Sequence, residues 1–198
     1  MQFDGDEFVA GALSLDFVNT VGGDRAGATN EKLETYGDLL DWVGHAGVLP
    51  KARMNRLEAL AKASPDSAER LLRRARGFRE ALFSVFAALQ KHRSPPVAAL
   101  ETVNMEIARA NAHARLARSG DRLRWDWDEE DALDTPLWPV ARDAGELLAS
   151  DKLDRLTECN GDTCGWLFLD LTKNHSRRWC DMKGCGNRAK VRRYRSKN

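Results

Sequence analysis

All four cysteines of this chain fall within its last 40 residues, at Cys159, Cys164, Cys180 and Cys185. The spacing is C-x4-C, fifteen residues, then C-x4-C, and each half ends in Cys-Gly, at Cys164-Gly165 and Cys185-Gly186. Paired loops of this kind can bring four thiolates onto one tetrahedral Zn²⁺. Glycine after the second cysteine of each pair permits a positive φ and lets backbone N–H groups point at sulfur. Two disulfides would suit a secreted chain. The N-terminal stretch MQFDGDEFVAGA is acidic and lacks the basic region of a signal peptide, so zinc is preferred over disulfides, unlinked thiols or another metal. Four cysteines close the coordination sphere, which predicts one structural ion and no open position for catalysis. So small a unit buries too little apolar surface to stand alone. Metal binding contributes an apparent ~10–16 kcal/mol in such units, enough to decide whether they fold.

The charge is as lopsided as the cysteines. The whole chain has a net charge of +1, yet residues 173–198 carry ten Lys/Arg against the single acid Asp181. That makes the tail +9 and leaves −8 for residues 1–172. A basic tail on an acidic body points to a polyanionic partner. Trp179, Tyr194 and the Cys-Gly pairs interrupt the basic run, which favours a folded unit over a solvated terminus. No apolar run approaches the roughly 18 residues of a membrane span. A cytoplasmic chain without a membrane partner is expected.

The body reads as helical. Residues 8–21 are apolar with Asp16 and Asn19 embedded and end at Gly22-Gly23-Asp24; strand and short buried helix fit equally well. A 3.6-residue period predicts helices over 34–47 and 51–63. Ser64-Pro65-Asp66 reads as N-cap, N1 proline and first-turn acid of a helix reaching about residue 91. Another helix is expected over 96–117, with Leu116 on its apolar face. Residues 123–127 alternate like a half-buried strand, expected to pair near residue 8 or 13. Thr135-Pro136 opens a further helix that continues toward Cys159. The fold class expected is mostly α with a minor β component: a multihelical body, 1–157, packed against a small treble-clef-like finger, 158–198. In that finger a knuckle at 159–164 leads to a strand at 166–170, a turn at 173–175, a returning strand at 177–179 and a basic helix from Gly186. Candidate nucleic-acid contacts are Lys173, Arg177, Arg178, Asn187, Arg188, Lys190, Arg192, Arg193 and Arg195. Arginine forks bind phosphate and can read guanine, with Arg188 the expected base reader. A competing role for Arg188 is a brace onto Asp170. Trp166 and Trp179 are read as core, and His175 as a turn residue near phosphate.

These residues resemble a known family. Cys164-Gly-Trp-Leu-Phe-Leu-Asp170, Lys173-Asn174, Ser176-Arg-Arg-Trp-Cys180, Met182 and Cys185-Gly-Asn-Arg188-Ala-Lys-Val-Arg-Arg are similar to the CGNR zinc finger. Ser14-Leu-Asp-Phe-Val-Asn-Thr20, Leu39-Leu-Asp-Trp42 and Pro136-Leu-Trp-Pro139 carry a weaker resemblance to the ABATE domain that accompanies it, which is assigned to stress-induced transcription regulation. The resemblance implies a bacterial regulator whose finger holds zinc through the four cysteines and binds DNA. His175 stands where the family is expected to carry arginine.

The leading reading is therefore a zinc-dependent transcriptional regulator, with the body as sensor or dimerisation domain. Asp16 and Asn19 either line a small-effector pocket or pin local backbone. No heptad seam speaks for or against a homodimer. An RNA-binding protein is the second reading, because single strands stack on aromatics. An enzymatic body is the third and is not expected. There is no nucleophile motif, phosphate loop or H-E-x-x-H, the four histidines are scattered, and Glu129-Glu130-Asp131 reads as a solvated run.

Overall fold

A computed structural model describes residues 3, 8–22, 30–128 and 131–196. Gly23-Asp24 and Glu129-Glu130, singled out above, lie outside the described residues, as does Lys197 of the basic tail. The apolar stretch near the start contains a short helix, α1 (Leu13–Val18), whose Ser14 through Val18 are all buried. It can be buried all round because α4, α6 and β6 pack on it from different sides. Strands β1 (Val21–Gly22) and β2 (Asn30–Glu31) pair antiparallel.

Helix α2 (Tyr36–His45) starts at a reciprocal cap. The Asp38 amide donates to the Thr35 hydroxyl at 3.2 Å, and the Thr35 amide donates to the Asp38 carboxylate at 2.7 Å. Helix α3 (Lys51–Ala63) follows, then α4 (Pro65–Gln90), which carries the largest share of the core. Ser64 does not cap α4 with its hydroxyl as the sequence suggested. Its carbonyl takes the Ser67 and Ala68 amides instead, and Pro65 at N1 needs no partner. Phe17 is the hinge of the core, with ring centroids 5.4 Å from Trp42 and 5.9 Å from Phe78.

Helix α5 (Val97–His113) ends four residues earlier than its apolar pattern implied. Residues 114–119 instead form β3 (Ala114–Ser119), paired with β4 (Arg122–Trp127) in a closed hairpin. Gly120, at φ 63, supplies the left-handed turn conformation. Residues 123–127 thus pair with their own neighbours and not with the N-terminal segment, and Leu116 is 56% exposed. Helix α6 (Leu137–Leu148) packs on α5 and α1. A 3₁₀ turn at Asp151–Arg155 then delivers the chain to β5 (Leu156–Glu158), which pairs antiparallel with β6 (Leu167–Leu169). The expected return strand at 177–179 does not form; β6 takes its partner from the chain before the knuckle. A π-helical turn at Met182–Gly186 runs into α7 (Asn187–Arg195), which has no buried residue. The architecture is a mostly helical body with small two-stranded sheets and a C-terminal four-cysteine module. Among the described residues no helix is long and apolar enough to cross a membrane.

Candidate metal centre and nucleic-acid interface

The β5–β6 hairpin presents Cys159 and Cys164 on the loop joining its strands. The Cys159 amide donates to the Trp166 carbonyl at 2.8 Å, and the Cys164 amide to the Gly161 carbonyl at 3.1 Å, which folds the loop into a knuckle. A Cβ at Gly161 would meet Cys164 Cβ and Cys185 Sγ at 3.1 Å, so a side chain there would press on the cysteines. The π turn supplies Cys185, and Cys180 precedes it.

The four Sγ atoms lie within 4.8 Å of one another, and three of the four cysteines are buried. Cys164 to Cys180 and Cys180 to Cys185 are both 3.6 Å between sulfurs. A disulfide needs about 2.05 Å, and all four thiols are free. A tetrahedron built on Zn–S bonds of about 2.3 Å has edges of about 3.8 Å. The donor set therefore fits one Zn²⁺. Hydrogen bonds point at sulfur as a thiolate would require: Cys180 N–H to Cys159 Sγ at 3.2 Å and Gly161 N–H at 3.4 Å. Thiols this close cannot all ionise unaided. Hydrogen bonds from Cys164 and Cys180 draw the Cys159 thiol far down, and the same contacts push those two partners up. A divalent cation among them relieves that repulsion.

The two Cys-Gly pairs differ in conformation. Gly165 has φ 64, the conformation that glycine permits there, but Gly186 is helical at φ −62. What Gly186 supplies is space: a Cβ there would meet Met182 Sδ at 2.9 Å. Arg188 donates to Cys185 Sγ at 2.9 Å. It braces the metal centre and not Asp170, and that contact turns it toward sulfur.

Asp16 and Asn19 lie where the body meets this module. The Asn19 side chain donates to the Leu167 carbonyl at 2.8 Å and accepts from the Leu167 amide at 3.1 Å, completing the edge of β6 away from β5. Asp16 accepts from the Ala10 amide at 2.9 Å, and the Ala10 carbonyl accepts from the Leu169 amide at 2.8 Å. Burial, helped by the neighbouring Asp143 carboxylate, pushes Asp16 up to about 7 despite the Ala10 and Val9 amides and Arg177. Arg177 faces inward. It donates to the Val9 carbonyl at 2.8 Å and to the Cys180 carbonyl, and its guanidinium lies 4.3 Å over Phe168. Asp170, which sequence reasoning had weighed only as an Arg188 partner, is the hub of the loop after β6. Its carboxylate accepts from the Thr172 hydroxyl and amide and from the Arg177 amide, which hold it below the usual carboxylate range. The Asp-x-Thr spacing was its one sequence signal.

The remaining basic candidates are exposed. Lys173, Arg178, Asn187, Lys190, Arg193 and Arg195 are all on the surface. Arg192 is exposed too and pairs with Asp162 on the knuckle, NH2 to Oδ1 at 2.8 Å. Trp166 donates its indole N–H to the Val21 carbonyl at 3.1 Å, and Arg178 lies over Trp179, so both rings are engaged. His175 sits in a left-handed turn, φ 50, against Arg155.

Two family descriptions match the chain. The ABATE family, "Putative stress-induced transcription regulator", matches residues 11–151. The CGNR zinc finger matches residues 155–198. No curated protein gives a significant match.

Proposed function

The chain belongs to the ABATE family of transcription regulators and carries a CGNR zinc finger, and on that premise we propose that it is a non-enzymatic, zinc-dependent DNA-binding regulator of the cytoplasm. In this reading residues 1–157 form the regulatory body and 158–198 the finger. Cys159, Cys164, Cys180 and Cys185 hold one Zn²⁺, whose bonds tie the knuckle to the start of α7. The observation that carries the proposal is the join between metal centre and basic helix: Cys185 sits one residue before the segment Gly186–Arg195. Lys190, Arg193 and Arg195 point away from the core on a helix without a buried residue, and Arg178 and Lys173 extend that surface. Arginine on such a helix can grip phosphate bidentately. Arg177 is left out of the contact surface, because its guanidinium is spent on the Val9 and Cys180 carbonyls.

DNA is preferred to RNA because the module offers few free rings for stacking. Trp166 and Trp179 are engaged, leaving Tyr194, 70% exposed. A signal entering the body, from an effector or a second copy, would reach the finger through Asn19, Ala10 and Arg177. Selection from random duplex DNA by the zinc-loaded chain tests the reading. An enriched motif lost on chelation supports it. Absence of salt-dependent binding, or preference for single-stranded RNA in competition, overturns it.

A further inference from the structure

Strand β4 changes sign along its length. Arg122-Leu-Arg-Trp-Asp-Trp-Asp128 opens with two cations and closes with two anions, on alternate residues, with apolar side chains between them. Alternation puts Arg122, Arg124 and Asp126 on one face of the hairpin and Leu123, Trp125 and Trp127 on the other. Trp127 anchors the base of the hairpin, 5.8 Å from Trp138. The outer part stands in solvent, with Leu123 67% and Trp125 53% exposed. The far edge of β4 is open: among the described residues β3 and β4 pair only with each other. The Asp128 amide donates to the His113 carbonyl at 2.9 Å, and hydrogen-bonded positions of an antiparallel pair recur at every second residue. Arg122, Arg124 and Asp126 therefore turn their backbone groups toward β3, and Leu123, Trp125 and Trp127 turn theirs away. The Trp127 amide agrees with this, since it donates to the Asp126 carboxylate at 2.9 Å and not across the hairpin. Such an edge is a template for another strand, and neither proline nor bulge interrupts this one.

The edge selects a strand of its own sequence running the other way. With Trp125 set opposite Trp125 of a second copy, Arg124 faces Asp126, Arg122 faces Asp128 and Leu123 faces Trp127, each contact occurring twice about the two-fold axis. Opposite charges and aromatic pairs across antiparallel strands attract. The residues that would exchange hydrogen bonds in this register, Leu123, Trp125 and Trp127, are the three whose backbone groups face outward. Within one chain Arg124 reaches Asp126 at 3.1 Å and Asp128 holds His113 Nδ1 at 2.8 Å, so the pairing extends contacts that exist already. Parallel self-pairing would set Arg on Arg and Asp on Asp. Strand β3 offers no such match, because Ala114–Ser119 carries two arginines and no acid. We propose that β4 is a self-complementary docking edge through which two copies of this chain join their hairpins into one four-stranded antiparallel sheet. The inference stands apart from the nucleic-acid reading of the finger.

The test is sedimentation equilibrium of the full, zinc-loaded chain, without nucleic acid. The parent should dimerise. Arg124→Asp and Asp126→Arg each set like charges opposite one another at two symmetric contacts, and each should raise the dimer dissociation constant roughly tenfold or more. The double variant, Arg124→Asp with Asp126→Arg, exchanges the two signs and should dimerise like the parent. The two single variants mixed in equal amounts should form a heterodimer, since each then offers the charge the other lacks. Arg124 and Asp126 lie outside the buried core, so the helical circular dichroism of every variant should match the parent. A monomeric parent overturns the proposal. A dimer indifferent to both single reversals places the interface elsewhere and overturns it too. So does a double variant that stays as weak as the single ones, because charge reversal would then act by some route other than strand pairing.

Discussion

Asn19 stands in for a missing strand. One side-chain amide offers a donor and an acceptor at the separation a peptide unit would, and β6 uses both. Asn19→Ala leaves the Leu167 amide and carbonyl buried without partners, at about 1–3 kcal/mol for each unsatisfied group. Thermal unfolding of the zinc-loaded chain should register that loss, and an unchanged midpoint would refute the clasp. Asp16 has a pH signature of its own. Burial raises its pKa from 3.8 to about 7, so the folded state holds the proton more tightly than the unfolded one. The stability this provides is complete below about pH 4 and disappears as pH rises through about 7. Asp16→Asn still accepts from Ala10 but carries no charge. Relative to the parent it should gain stability between pH 5 and pH 8, up to roughly 4 kcal/mol at about 1.36 kcal/mol per unit. Equal pH dependence of the two midpoints would contradict this. Arg188 offers a third test, since it donates to Cys185 Sγ. Arg188→Ala should weaken zinc affinity about 10–100-fold in chelator competition. An unchanged affinity with weakened DNA binding would return it to the role of base reader.

At the scale of elements, what periodicity and punctuation could announce was legible. Helices α2, α3 and α4 begin and end within a few residues of their apolar patterns, because Pro50, Pro65 and Gly47 interrupt the chain where the pattern stops. The cluster of cysteines was legible for a related reason: metal ligands leave a spacing that few other demands impose. Three features were not legible, each because tertiary contact decides it. Leu116 fits the stripe of α5, but the Gly120-Asp121 turn lets residues 114–119 pair instead, and the hairpin keeps Leu116 in solvent. The strand at 167–169 could pair forward or backward; closure of the knuckle over Cys159 and Trp166 sets it backward. The two Cys-Gly pairs look alike, yet only one needs a left-handed residue. That difference can be measured. Gly165→Ala meets a left-handed backbone and should cost roughly 1–2 kcal/mol. Gly186→Ala crowds the flexible Met182 side chain, with the Asp181 carbonyl at an ordinary 3.6 Å, and should cost less. Zinc-loaded melts giving the reverse order would overturn the assignment of roles.

Across the whole molecule the finger is built into the body. β5 packs on α4 and β6 on α1, while Trp166 reaches Val21 and Arg177 reaches Val9. α1 in turn is buried between α4 and α6, so the clasp ends inside the main core. A tethered finger would melt without consequence for its neighbour; this one shares its hydrogen bonds. Removing the metal should release the repulsion among four thiols packed within 4.8 Å and unfold the segment after Cys159. Leu167 and Leu169 would then leave Asn19 and Ala10 unpaired, and Phe168, fully buried, would lose its cover. Most helical signal should survive chelation, because α2 through α6 supply most of the buried residues of the shared core. The midpoint of that remaining helical transition should nevertheless fall. Cys180→Ser should lower it in the same way without any chelator, and adding chelator to that variant should change it little further. Far-ultraviolet circular dichroism followed against temperature reads all three states. A helical midpoint indifferent to zinc would mean that body and finger are energetically independent, and that no signal from the body passes to α7 through the clasp.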